Sequence, residues 1–571
     1  MAPYRSREES TASPDAPETG LVEEMVRQFA DPYAFLRELV QNGVDAGATT
    51  LEVRIDLLSG GVVTSQVRDD GSGMTREIIE GPLLTLFSSS KEDDSTKIGK
   101  YGVGFVSVFA LSPEEVIVDS WRDGGAWRVR LRRDHSYDLE QGDPREGSGT
   151  TVTLVDAMDR AGFERHRTLV HAALRRWCRH AQIPIHLTVT DAEHPDATTR
   201  VRIDTPFAVA ATVSITAQIE GETFVVGCGT RFEAGADGES TEDQAESFAG
   251  FYNRGLTLYE DTGAAPKGLR HIRFKVLSAS LHHTLSRDNV RRDAELDRVI
   301  VQVRELAGQP LRRELALRLR EAALEAAGGK GAAYPALLEL ACRPPLALKH
   351  HQIELALAAP VEGRATLSFA EVVKRTPWRA PILTAGGSGR SLIKALAREG
   401  RPVIRVNHPE IAARVRELRK GGAVADAGLV HALLVELLPG ARRAWDDALC
   451  SSVQRSLAAA GVKVGRVVLC SVSGASCGRF WFAPPRSALR EGTPLLCSTD
   501  QLRSWGKRWS AGRVLHLMAT DGTVTRARRR AEHDPELAGH LLARILLLDW
   551  RGPMTPRSAD KLLAHAAREL G

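Results

Sequence analysis

Phe35-Leu-Arg-Glu-Leu-Val-Gln-Asn-Gly-Val-Asp-Ala46 is the stretch on which the reading of this chain turns. Glu38, Asn42 and Asp45 are spaced i, i+4, i+7, which on a helix brings them to one face. Leu36, Leu39, Val40, Gly43 and Val44 fall on the opposite face. A helix that buries one side and presents two carboxylates and an amide on the other has the make-up of a site wall. It offers an acid or base, an amide oxygen suited to a metal, and a further polar anchor. The same pattern occurs on any solvated helix face, so the neighbouring sequence has to decide.

Two glycine motifs follow. Asp69, Gly71 and Gly73 form DxGxG directly after the alternating run Val62-Val-Thr-Ser-Gln-Val67. Glycines there let the backbone turn tightly and let a flat ligand approach, and the aspartate can accept a hydrogen bond from an exocyclic amine. Gly99, Gly102 and Gly104 form GxxGxG before the apolar run from Val106 to Leu111. Helix N-termini carry unpaired N–H groups, so glycines at such a start suit phosphate. This order is neither the phosphate-loop nor the dinucleotide-binding pattern. Each motif alone is common; their order and distance are what carry weight.

The set resembles the GHKL ATPases, the superfamily of gyrase, heat-shock protein 90, histidine kinases and MutL, over residues 20–190. The resemblance implies a Bergerat-fold sandwich that binds ATP and Mg²⁺. It implies that Glu38 is the general base and Asn42 the Mg²⁺ ligand, with Asp45 and Ala46 beside them in the same box. Asp69 becomes the reader of adenine, with Gly71, Gly73 and Met74 lining the base pocket and Thr150 bonded to Asp69. Lys91 falls in the polar loop 88–97, which matches a mobile lid. Gly99, Tyr101, Gly102, Val103, Gly104 and Phe105 match the phosphate-binding turn.

Within the superfamily, Ile98-Gly-Lys-Tyr-Gly-Val-Gly-Phe105 is most similar to the heat-shock protein 90 form. Trp177-Cys-Arg-His-Ala-Gln-Ile-Pro-Ile185 and Phe251-Tyr-Asn-Arg-Gly-Leu-Thr-Leu258 resemble later segments of that family, and Leu285-Ser-Arg-Asp-Asn-Val290 resembles its catalytic loop. Arg287 then matches the arginine that reaches the γ-phosphate. Arg291 stands where the family usually has glutamine. The function implied is that of an ATP-dependent, chaperone-like clamp, dimeric, acting on unfolded or near-native protein clients. The alternative is a MutL- or MORC-like clamp acting on DNA, since 42–48 and 69–74 are also close to those families. The basic runs Arg312-Arg313, Arg416 to Lys420 and Arg526 to Arg530 would then touch phosphates; their other reading is a solvated helix face.

Composition sets the frame. At 571 residues the chain needs several cores. Charged residues at 26% and hydrophobic residues at 43% describe an ordinary globular protein. A net charge of +4, from 76 basic and 72 acidic side chains, gives no independent ground for nucleic acid. Seven scattered cysteines without CxxC spacing argue against zinc and disulfides and fit a reducing cytoplasm. No apolar run is long enough to span a membrane.

The fold class expected is α/β (α+β). Residues 1–20 form a flexible arm, 21–200 the ATP-binding domain and 201–330 a strand-rich middle domain. An α/β subdomain follows over 331–440, and 441–571 is the C-terminal, dimerising part. Residues 292–326 are expected as a long helical stretch. The segment 381–419 is expected to alternate strand and helix in a βαβ pattern.

Overall fold

The computed structural model describes residues 31–84, 103–134, 136–143, 145–194, 196, 198–229, 246–263, 266–282, 284, 289–419, 422–475, 478–485, 493–506 and 513–569. The chain divides into two compact units, Met1–Leu311 and Arg312–Gly571.

The first unit begins at Asp31, whose carboxylate caps a 3₁₀ turn, Pro32–Ala34, by accepting from the Tyr33 N–H at 2.9 Å. The turn runs into α1 (Phe35–Asp45). Gly47, at φ +75°, ends the helix in the left-handed conformation that favours glycine. Eight strands form one sheet: β1 (Leu51–Leu57), β2 (Val62–Asp69), β3 (Glu115–Arg122), β4 (Gly125–Arg132), β5 (Tyr137–Gln141), β6 (Gly149–Ala157), β7 (Ile185–Asp191) and β8 (Thr199–Arg202). Their order is β5-β4-β3-β6-β2-β1-β7-β8. The β1–β7 pair is parallel and the other pairs are antiparallel.

Alternation along β1 and β7 turns one face inward. There Val53, Ile55, Val67, Val118, Val152 and Leu187 meet Phe35, Leu36, Leu39 and Val40 of α1 and Phe163, Val170, Leu174 and Trp177 of α2 (Arg160–Cys178). Each such side chain contributes ~1.5–3 kcal/mol on burial, so the two helices are held flat against the sheet. This is a two-layer α/β sandwich, as the motif order implied.

A second sheet in the same unit has the order β12-β11-β13-β10-β9. Its strands are β9 (Val213–Ile219), β10 (Glu222–Cys228), β11 (Phe248–Asn253), β12 (Leu256–Asp261) and β13 (Ile272–Leu277). Polar links join it to the end of α2: Thr257 Oγ1 donates to the Arg176 carbonyl at 2.8 Å, and Arg179 pairs with Glu260 at 2.6 Å. Buried His180 lies 3.2 Å from the Thr205 carbonyl through Nδ1 and 2.9 Å from Lys275 Nζ through Nε2. Only the Nδ1–H tautomer fits, because lysine must donate and a carbonyl must accept.

Burial and then the Lys275 cation push the His180 pKa down to about 3. Between that value and 6.5 the unfolded chain binds a proton that the folded chain does not. Stability therefore falls as pH falls through this window, by at most ~1.4 kcal/mol per pH unit. His180→Gln, which keeps a donor and an acceptor, is expected to flatten the fall in unfolding midpoint between pH 6.5 and 4. An unchanged slope would assign the acid sensitivity elsewhere.

The helical stretch expected over 292–326 is present as two helices, α3 (Ala294–Ala307) and α4 (Gln309–Ala327). Gly308, at ψ −114°, leaves the helical conformation. Pro310 explains the break: it has no N–H for the preceding turn but fits the first turn of a new helix.

The second unit contains two five-stranded sheets. The first has the order β15-β14-β17-β16-β18. Its strands are β14 (Glu354–Val361), β15 (Arg364–Ser368), β16 (Ile382–Thr384), β17 (Val403–Ile404) and β18 (Val424–Asp426). The β16–β17 and β16–β18 pairs are parallel, joined by helices Arg390–Arg398 and Pro409–Leu418, so the βαβ pattern expected over 381–419 is present. The β14–β15 hairpin was not anticipated from the sequence.

The other sheet of this unit has the order β21-β23-β20-β19-β22. Its strands are β19 (His431–Glu436), β20 (Arg466–Gly474), β21 (Trp481–Phe482), β22 (Leu495–Ser498) and β23 (Val514–Met518). Leu449 and Val453 of helix Asp446–Ala459 and Leu542 and Leu546 of helix Pro535–Arg551 share a core with Leu469, Trp481 and Leu515 of this sheet. Beside that core a buried ion pair, Arg528–Asp446 at 2.6 Å, ties helix Gly522–Arg530 to helix Asp446–Ala459. Among the described residues, no helix is long and apolar enough to cross a membrane.

Candidate functional site

α1, which carries Glu38 and Asn42, meets the C-terminal end of β2 through its apolar side at Gly43. Gly43 makes the approach close: a Cβ there would lie 3.2 Å from Asp69 Cβ and 3.2 Å from Leu51 Cδ1. Glu38 is 8% exposed and is not on an open polar face; it accepts from the buried guanidinium of Arg37 at 3.1 Å. Arg37 in turn stands over the Trp177 ring at 5.1 Å. Asn42 is exposed one turn further on. The helix thus offers a walled carboxylate and an accessible amide side by side.

Asp69 closes β2, and its Oδ1 accepts the Gly71 N–H at 2.9 Å. Burial pushes the Asp69 carboxyl above the usual carboxylate range, against the opposing pull of hydrogen bonds from the Gly71 and Thr150 backbone. A half-buried acceptor of this kind gains most from a donor that arrives with a ligand. The turn after it is seated on α1: the Ser72 N–H bonds to the Ala46 carbonyl at 2.9 Å, and a Cβ on Gly71 would come within 2.7 Å of Ala46 Cβ. Asp70 braces the same turn by accepting from the Thr49 and Thr50 N–H groups at 2.7 and 3.0 Å.

Register brings Thr150 in from a distance. It pairs with Asp69 across β2–β6 and with Ser120 across β3–β6. Ser120 was not singled out in the sequence. Its buried hydroxyl lies 3.0 Å from Thr150 Oγ1 and accepts the Met74 N–H at 2.8 Å, so it fixes the exit of the glycine turn. No local signal marked it, since β3 also carries Glu115, Asp119 and Arg122.

Gly73, at φ +64°, has no room for a side chain because a Cβ would collide with the Trp121 carbonyl. Gly60 has φ +86° but open space around it. Gly73→Ala is therefore expected to cost clearly more than the ~1 kcal/mol that positive φ alone imposes on Gly60→Ala. Urea unfolding of the two variants measures the difference, and equal losses would remove the close-approach account of Gly73.

Of the remaining expected site residues, Val103, Gly104 and Phe105 fall in a helical turn, Val103–Val106, with Phe105 buried in the sandwich core. Ser107 Oγ donates to the Gly104 carbonyl and closes that turn. Lys91, Gly99, Tyr101, Gly102 and Arg287 lie outside the described residues. Asp45 accepts from Gln41 at 3.2 Å and pairs with Arg254 of the second sheet.

The geometry fits a flat, amine-bearing ligand with an anionic tail. The turn after β2 supplies a desolvated acceptor and close-set glycines, and α1 supplies a carboxylate beside an exposed amide. Residues 33–152 match the family described as histidine kinase-, DNA gyrase B- and HSP90-like ATPases. In sequence, the N-terminal domain is thus similar to the GHKL ATPases.

Among named proteins, the chain is 26% identical over 204 residues to the chaperone protein HtpG of Treponema denticola, covering 29% of this chain and 32% of that one. It is 30% identical over 180 residues to HtpG of Bacteroides fragilis, covering 28% and 26%. It is 34% identical over 128 residues to the DNA mismatch repair protein MutL of Sphingopyxis alaskensis, covering 22% and 20%. The chain thus spans a third or less of the length of these relatives.

Proposed function

We propose that this protein is an ATP-hydrolysing, chaperone-like conformational clamp. The observation that carries the reading is the glycine turn after Asp69, seated on Ala46 at the end of the helix that bears Glu38 and Asn42, in a domain matched to this ATPase class. In this reading Asp69 and Thr150 receive the adenine, Gly71, Gly73 and Met74 line its pocket, and Glu38 orients the attacking water. Asn42 would offer its amide oxygen to Mg²⁺, a hard cation that takes oxygen ligands and neutralises phosphate charge. Lys91 belongs to the lid, and Gly99, Tyr101, Gly102, Val103 and Gly104 to the phosphate turn. Catalysis of phosphoryl transfer is mostly positioning and charge neutralisation, so turnover is slow until the clamp closes. The active form is a cytoplasmic homodimer joined through 441–571.

Arg287 is assigned to the γ-phosphate, a role suited to a permanently charged, bidentate donor. Arg287→Ala is expected to lower the hydrolysis rate by about tenfold or more with little change in nucleotide affinity. An unchanged rate would remove Arg287 from the site.

The match to MutL keeps a second reading, a clamp acting on DNA. ATPase rates with and without duplex DNA at two salt concentrations separate the two. Salt-sensitive stimulation by DNA supports the second reading. Suppressed aggregation of an unfolded client, with no response to DNA, supports the first.

A further inference from the structure

The turn joining β11 to β12 is Arg254-Gly255, with φ +50° and +83°, a two-residue hairpin loop. Its tip is seated on the first sheet's layer. A Cβ on Gly255 would collide with the His180 carbonyl, and Leu256 is buried in the core that α1 and α2 share. From this seat Asn253 Nδ2 donates to the Leu281 carbonyl at 2.9 Å, so the loop leaving β13 is held to the same hairpin. Arg254 reaches the other way and pairs with Asp45 on α1. The other links between the layers described above land on α2 and the segment after it. The Arg254 link lands on the site helix, one turn from Asn42 and two from Glu38.

Both partners are about half exposed, at 52% and 47% of the side chain. An exposed ion pair contributes only ~0–1 kcal/mol to stability. Holding the fold together is therefore a poor account of this ion pair; fixing the position of α1 is a better one.

We infer that Arg254 is a positioning residue of the nucleotide site: through Asp45 it locks the C-terminal half of α1 to the hairpin of the second sheet. The inference rests on the ATPase reading above and adds a determinant of rate outside the pocket. Asp45, expected from the sequence beside the nucleotide, acts as the anchor of this lock. When the lock is open, α1 is free to shift against the second sheet, and a displacement of about 1 Å in reacting groups is enough to cost up to about 10²-fold in rate.

The test is a charge swap in the full chain, with Arg254→Asp, Asp45→Arg and the double variant. Measurements are steady-state ATP hydrolysis, affinity for a fluorescent ATP analogue, and melting temperature. Each single variant is expected to lose about tenfold in kcat while affinity stays within about threefold. Melting temperatures should stay close to wild type, and the double variant should recover most of the rate. Single variants with wild-type kcat overturn the inference, as does a double variant that recovers nothing. So does a rate loss that only follows a falling melting temperature, since that marks a structural role. A wild-type protein that neither binds nor hydrolyses ATP would instead overturn the ATPase reading itself.

Discussion

Glu38→Ala is expected to bind ATP and to hydrolyse it about 10²-fold or more slowly than the wild-type protein. The physical basis is the placement of the carboxylate. It sits behind the surface of α1, 8% exposed, and is oriented by Arg37, which is itself held over Trp177. Alanine removes the group that would orient water and also takes a carboxylate partner from a buried guanidinium. That second effect costs on the order of 3–5 kcal/mol when a buried pair is broken outright, and it would confuse the measurement. Glu38→Gln separates the two effects, because the amide oxygen still accepts from Arg37 but is a poor base. The glutamine variant is expected to match the alanine variant in rate and the wild type in melting temperature. Single-turnover hydrolysis, with nucleotide binding measured in parallel, decides the matter, and normal turnover in either variant would overturn the base assignment.

Asp69→Asn is expected to abolish measurable nucleotide binding. Losing a charge-assisted hydrogen bond to the ligand costs ~1.5–3 kcal/mol, and an unsatisfied buried partner adds to it. Together these amount to about 10²-fold or more in affinity. The substitution is gentle to the fold, since the asparagine oxygen can still accept the Gly71 N–H that Asp69 accepts now. The new side chain would, however, present an NH₂ group where an incoming amine needs an acceptor. Titration with a fluorescent ATP analogue, beside circular dichroism to confirm folding, reads the outcome. Wild-type affinity in this variant would remove the adenine-reading role and leave the glycine turn as a structural feature only.

Much of the first domain was legible because its signals are local. The polar and apolar faces of α1 follow from a 3.6-residue period, and the turn at 69–73 from glycine and aspartate chemistry at a strand end. The βαβ run at 381–419 showed in the same way. What was misread or missed lies in two local features that stand out weakly from their surroundings. The periodicity of 292–326 continued through Gly308 and concealed a break that Pro310 enforces. The β14–β15 hairpin carried no turn signal strong enough to stand out beside its neighbours.

By itself the sequence determined which groups this protein brings to the candidate site, because Glu38, Asn42, Asp69 and the glycines are each placed by the few residues around them. Only the tertiary structure decided how those groups are held. Ser120 reaches Met74 and Thr150 because β3, β6 and β2 lie side by side in the sheet. Glu38 is walled in because Trp177, on a helix more than a hundred residues later, stacks on its arginine. Asp45 meets Arg254, more than two hundred residues later, because the hairpin of the second sheet is seated against the first sheet's layer. Spacing along a helix fixes which face a side chain occupies; which partner waits on that face is set by strand order and packing, and these bring together residues that no local pattern connects.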